Sequence, residues 1–158
     1  MIIISDTSSI SNLIQIDLIY ILQELFEDIY ITSSVREELY VLPKQKKIIE
    51  SLDWIKTQNP QNQTLVEELL EELDIGEAHS IILALETNAK FLIIDEYKGR
   101  VIAEQRGVKI IGVLGILIKA KQNNIIPLVK PHIDKLVTIG FRIKPSLIRI
   151  VLQKVNEL

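Results

Sequence analysis

Carboxylates follow two of the most apolar segments of the chain: Asp6 comes directly after Ile2-Ile3-Ile4-Ser5, and Asp95-Glu96 directly after Phe91-Leu92-Ile93-Ile94. Two glutamates sit near the starts of segments with helical spacing. These are Glu38 in Ser33-Ser34-Val35-Arg36-Glu37-Glu38-Leu39, and Glu77 in Asp74-Ile75-Gly76-Glu77-Ala78-His79. Gathered in one crevice, four carboxylates cannot all stay ionised unaided, because two unit charges about 4 Å apart repel by about 4 kcal/mol at an effective dielectric near 20. A divalent cation removes the conflict. Mg2+ and Mn2+ prefer oxygen ligands, bind through a few carboxylates plus water, and leave positions for substrate phosphates. Such a centre suits phosphodiester hydrolysis: one ion makes a nucleophile of its bound water, and a second, roughly 3.5 to 4 Å away, stabilises the leaving oxygen.

Each acid also has a purely local alternative. Asp6 and Asp95 could serve only as N-caps of the helices that follow them. Asp74 and Glu77 have the spacing of a capping box, and so do Ser34 and Glu37, which gives Glu37 a local job and leaves Glu38 for chemistry. Other chemistries lack parts. The two histidines, His79 and His132, have no paired ligand spacing for zinc, and His79 is expected on a helix surface. The absence of cysteine removes disulfides, thiolate zinc sites and cysteine nucleophiles. Gly112-Val113-Leu114-Gly115 lacks the full glycine pattern and lysine of a phosphate loop, and reads as a turn packed closely on a sheet. Ser8, Ser9 and Ser11 have no glycine-flanked elbow. A phosphoaspartate mechanism would place a second aspartate where Ser8 stands.

The elements that must position these acids are short. Ile2-Ile3-Ile4, Ile29-Tyr30-Ile31, Trp54-Ile55-Lys56, Phe91 to Ile94 and Lys109-Ile110-Ile111 read as strands, β-branched runs bounded by polar residues. Helices are expected through Ile10, Leu13 and Ile14, from Asp17 to Phe26, through Val35, Leu39 and Leu42 up to a break or bend at Pro43, and from Lys44 to Leu52. Further helices are expected over Leu65 to Leu73, through Ala78, Ile81, Ile82 and Leu85, and over Val101 to Arg106 with Gly107 as the stop. From Gly112 the pattern is helical: Val113 to Gln122, Leu128 to Ile139, and Pro145 to the end. Strands alternating with helices need crossover connections, which predicts an α/β fold, a three-layer sandwich with a mostly parallel sheet. In such a sheet the ligand crevice lies beyond the carboxyl ends of the strands, where Asp6 and Asp95 fall.

At 158 residues, 47% hydrophobic and 25% charged, the chain is expected to form a single domain, with its helical portion from about residue 112. The longest uncharged stretch near the middle, Ile110 to Ile118, is far short of a membrane span, and Met1 to Ile4 meets Asp6 at once without a basic flank. No membrane segment is expected. A cysteine-free composition fits the reducing cytoplasm. The net charge of −3 conceals an asymmetry, since residues 1–80 hold 15 acids and 5 bases while residues 81–158 hold 6 and 13. The basic half could simply neutralise the acidic half, or Lys98, Arg100, Arg106 and Lys109 could form a phosphate-tracking rim beside the acids.

The order of these motifs resembles a known family. Met1-Ile2-Ile3-Ile4-Ser5-Asp6-Thr7-Ser8-Ser9, Val35-Arg36-Glu37-Glu38-Leu39, Gly76-Glu77-Ala78-His79-Ser80-Ile81 and Leu92-Ile93-Ile94-Asp95-Glu96 look like the successive acidic motifs of a PIN domain, along the full length of the chain. Gly99-Arg100-Val101-Ile102-Ala103, Gly112-Val113-Leu114-Gly115, Ala120-Lys121 and Gly140-Phe141-Arg142-Ile143 look like a widespread prokaryotic branch of it. The resemblance implies an α/β/α sandwich and an Mg2+- or Mn2+-dependent ribonuclease, as in the toxins of VapBC toxin–antitoxin pairs. It implies a metal set of Asp6, Glu38, Glu77 and Asp95, with Thr7 or Ser8 positioning a ligand or water; in such a nuclease Lys98 or Arg100 could serve as a substrate clamp. The family's last acid often sits two residues after a threonine; if Ile94 holds that threonine's place, Glu96 rather than Asp95 is the match. RNA is the implied substrate, and an antitoxin protein and a second copy of the chain are the implied partners. The alternative is an inactive PIN-like module that binds RNA or a protein.

Overall fold

The computed structural model describes residues 1–158. Five strands, β1 (Ile3–Ser5), β2 (Ile29–Ile31), β3 (Ile55–Thr57), β4 (Phe91–Ile93) and β5 (Ile110–Ile111), form one parallel sheet in the order β3-β2-β1-β4-β5. The chain winds outward from β1 through β2 to β3, then crosses to β4 and β5 on the other side. The winding direction therefore switches between β1 and β4, and the crevice of a doubly wound sheet opens at that point. Ser5 lies opposite Ile93, and the Asp6 N–H donates to the Ile93 carbonyl at 3.0 Å. The segment carrying Asp95 is thereby fixed beside Asp6.

Strands this short cannot hold a sheet by ladder hydrogen bonds alone; burial on both faces does it. Successive side chains alternate, so Ile3 and Ile93 enter the larger core while Ile4, Leu92 and Ile94 enter the smaller one. The larger core lies under α1 (Thr7–Gln15), α2 (Tyr20–Phe26), α3 (Ser33–Tyr40), α4 (Pro43–Glu50), α8 (Val113–Gln122), α9 (Lys130–Thr138) and α10 (Pro145–Lys154). Helices α5 (Gln63–Leu70), α6 (Ile75–Thr87) and α7 (Tyr97–Gln105) cover the smaller core. Ile10, Leu13, Ile81 and Ile116 are wholly buried, and each such side chain contributes about 1.5–3 kcal/mol. The result is the expected three-layer α/β arrangement. No helix is long and apolar enough to cross a membrane.

Local boundaries differ from expectation for identifiable reasons. Asp17 takes a left-handed φ of 59°, so α2 starts only at Tyr20. Pro43 begins α4 instead of only closing the preceding helix, because its missing N–H is not needed in the first turn. Thr32, not Ser34, caps α3 by accepting from the Val35 N–H, so the box expected of Ser34 and Glu37 does not form. Glu96 rather than Asp95 caps α7, which therefore begins four residues before Val101.

Candidate functional site

At the carboxyl ends of β1 and β4 the structure forms a cleft of about 310 Å³. Five carboxylates line it, Asp6, Glu38, Asp74, Glu77 and Glu96, together with the hydroxyl residues Thr7, Ser8 and Ser11. No apolar side chain and no lysine or arginine lines it. Of the residues expected from sequence, Asp6, Thr7, Ser8, Glu38, Glu77 and Glu96 are brought together here. Asp95 and Arg100 instead line a neighbouring groove, and Lys98 stands exposed on α7 in neither.

Each acid is placed by a local device. Asp6 is 3% exposed and caps α1: its Oδ1 accepts from the Ser9 N–H at 2.9 Å and its Oδ2 from Ser8 Oγ at 3.3 Å. Capping and cleft lining are thus compatible. Asp74 likewise caps α6, accepting from the Glu77 N–H at 2.8 Å while facing the cleft. Glu96 caps α7 through the Gly99 N–H at 2.8 Å. Asp95 turns toward the start of α8, accepting from the Val113 N–H at 3.2 and 3.1 Å and from Ser9 Oγ at 3.1 Å. Buried Ser9 therefore touches both strand-end acids, one through its backbone and one through its side chain. Arg100 Nη1 donates to the Ile94 carbonyl at 2.8 Å and places its charge near Asp95.

Burial raises the carboxyls of Asp6, Glu38, Glu77 and Asp95, and neighbouring negative charge adds to it at the first three. Burial lifts the Asp6 carboxyl to about 6, against hydrogen bonds from Ser9 and with help from the charge of Asp95. Glu77 is pushed up to about 8 by burial, then by Asp74 and more weakly by Glu96. Glu38 is raised by burial and the charge of Asp74, with the Thr7 hydroxyl acting the other way. Asp95 is raised by burial, opposed by Val113, Ser9 and Arg100. No three carboxylate or imidazole groups converge closely enough to form a finished ligand set. The donors still suit a hard divalent cation: they are all oxygen, mostly anionic, and include the buried Thr7 Oγ1, which has no hydrogen-bond partner of good geometry.

Sequence reasoning missed three glycines that make room for the acids. A Cβ on Gly76 would collide with Glu38 Oε1; one on Gly99 would lie 3.0 Å from Glu77 Oε2; one on Gly112 would lie 2.6 Å from Asp95 Oδ1 and 2.9 Å from Arg100 Nη1. Each pairing is distant in sequence or crosses an element boundary, so no local signal marks it. Gly76→Ala is expected to drive Glu38 from the cleft and weaken Mn2+ affinity by about 10- to 100-fold, with little change in circular dichroism. Calorimetric titration with Mn2+ checks this, and unchanged affinity would show that Glu38 is not a ligand.

His79 is also not the free surface residue expected. It is half-buried, its Nδ1 lies 2.8 Å from Ser34 Oγ, and that hydroxyl lies 3.0 Å from Thr32 Oγ1. Burial holds the imidazole below its ordinary pKa, which favours the neutral ring. The chain of contacts clasps α3, which carries Glu38, to α6, which carries Glu77.

A doubly wound parallel sheet with an acidic cleft at its switch point defines the class: an α/β/α protein whose crevice at the strand ends is lined by carboxylates. The sequence narrows this further. A family model described as a PIN domain matches residues 2–157, and the chain belongs to that family. No curated protein matches it.

Proposed function

We propose that this protein is an Mg2+- or Mn2+-dependent endoribonuclease and the toxin of a toxin–antitoxin pair. The observation that carries the nuclease reading is the cleft itself, with five carboxylates, three hydroxyl side chains and no cationic side chain at the switch point. Asp6, Glu38 and Glu77, with Glu96, would hold the metal; when bound, it would supply an activated water and charge neutralisation at the scissile phosphate. Thr7 and Ser8 would orient water or phosphate oxygens. Asp95, held by Ser9 and Val113, would stabilise the placement of Asp6 from behind and keep Arg100 at the cleft margin. A toxin role requires a partner protein that blocks this cleft, encoded by a neighbouring short reading frame, and a second copy of the chain is a further partner. The family resemblance supports both partners.

Asp95's engagement favours a second reading, a module that binds RNA or protein without cleaving. Purified protein incubated with structured and unstructured RNA in Mg2+, Mn2+ or chelator separates the two. Cleavage that requires metal and stops in chelator is the expected result. Intact RNA under every condition, together with Mn2+ binding no tighter than in Glu38→Gln, would sink the nuclease reading.

A further inference from the structure

The chain has a second, larger concavity of about 550 Å³, which the acid chemistry leaves unused. It opens along β5, the free edge of the sheet, between α8 and α10. Its floor is apolar, formed by the half-buried Ile110, Ile111, Leu114, Ile118 and Phe141, while the exposed Ile150 lines its open side. Arg100, Arg142 and Lys154 stand at its rim. We propose that this groove seats an unpaired RNA nucleotide next to the scissile phosphate, the base on the apolar floor and the phosphate against the rim; its place beside a bond that is cut rests on the nuclease reading, while the binding does not.

Three observations carry the assignment. The groove meets the cleft at Asp95-Glu96, the first residue lining the groove and the second the cleft, so a strand leaving the acids passes Arg100 directly. The charges match an anionic strand. Arg142 and Lys154, like most basic side chains of this protein, form no ion pair, so their charges are free to meet an anion. Asp95 is the groove's one acid, and its oxygens are committed to Val113 and Ser9. Finally, α10 shows apolar surface to solvent on this side, with Ile150 60% and Leu147 42% exposed, beside the half-buried ring of Phe141. An apolar floor with an aromatic ring and a cationic margin is the pairing that single-stranded nucleic acid uses, stacking for bases and charge for backbone. The volume lies within the range of small-ligand sites.

The test is fluorescence anisotropy of a labelled single-stranded RNA of roughly eight nucleotides, a length within single-fold site sizes. It uses full-length Asp6→Asn protein in chelator, so that cleavage cannot intrude. Adding Arg142→Gln or Ile150→Asp, both at exposed positions, is expected to weaken binding about tenfold each. Arg142→Gln should also lower the slope of log affinity against log salt by about 0.7. Unchanged affinity in both folded variants, undetectable binding at low salt, or equal affinity for a duplex of the same sequence would each overturn the proposal. Loss of binding in the variants while wild-type protein cleaves nothing keeps the groove and removes the nuclease. Metal-dependent cleavage with binding and KM untouched by both substitutions does the reverse. A dimer that dissociates in Ile150→Asp without loss of RNA affinity would also overturn it, assigning the face to a second copy.

Discussion

Asp6→Asn is expected to cut metal-dependent RNA cleavage by about 10³-fold or more, and at the same time to make the metal-free protein more stable at neutral pH. Both effects come from one buried carboxylate. Its folded pKa of about 6 lies above the ordinary 3.8, so the native state holds this proton more tightly than the unfolded chain does. Stability from this group is therefore greatest below about pH 4, is lost as pH rises through about 6, and stays lost above it. A rise from 3.8 to about 6 corresponds to about 3 kcal/mol. Asparagine carries no charge at any pH and keeps an oxygen to accept from the Ser9 N–H, so much of the cap survives. After discounting the weaker neutral hydrogen bond, a gain of about 1–2 kcal/mol, or roughly 2–8 °C in Tm, is expected at pH 7.5. Thermal melts in chelator at pH 5 and pH 7.5 measure it. The wild type should melt lower at pH 7.5 and recover with Mn2+, whereas the variant should show a smaller dependence on pH and no recovery. A variant that melts below the wild type at pH 7.5 yet still responds to Mn2+ would show that Asp6 is held for structure alone.

The parts of this arrangement that were legible in the sequence are those governed by local rules. Ile29-Tyr30-Ile31 forms a strand over the residues its β-branched run predicts, and the Phe91 to Ile94 strand is one residue shorter than its run, because both are bounded by polar residues and buried on the sheet faces. The Asp74 cap and the Gly107 stop, with its φ of 81°, obey helix-end chemistry that needs no distant partner. What the sequence could not resolve depends on where an element ends to within one residue. Thr32 and Ser34 are both good caps, and the choice falls to Thr32 because β2 stops at Ile31. The same one-residue question decides that Glu96 faces the cleft and Asp95 faces α8. Contacts across the fold were invisible for a different reason: His79 meets Ser34 over 45 positions, Ser9 meets Asp95 over 86, and Gly76 makes room for Glu38. Nothing near any of these residues in the chain marks its partner. The groove under α10 needed the tertiary structure too, since the helical periodicity of Pro145 onward does not say which apolar residues stay uncovered.

Metal affinity should rise steeply with pH, and Asp74 should set how steeply. Glu77 is raised to about 8 by burial first and by Asp74 next, and a carboxyl must shed its proton before it can serve as a ligand. Between pH 6 and pH 8 the ionised fraction of a group with that pKa climbs about 50-fold, so Mn2+ affinity should increase by a comparable factor with release of about one proton per ion bound. The Asp6 carboxyl, with its value of about 6, adds curvature at the lower end. Asp74→Asn removes the negative charge that acts most strongly on Glu77, which lowers the affinity of Glu77 for its proton and for a cation together. The signs of these two effects oppose at low pH and do not at high pH. At pH 8.5 the variant should therefore bind Mn2+ more weakly than the wild type, and the gap should close toward pH 6.5, giving a shallower pH profile. Calorimetry in buffers of different ionisation enthalpy reports both affinity and proton release. Parallel profiles for the two proteins would show that Asp74 does not act on Glu77, and a flat wild-type profile would remove Glu77 from the metal centre.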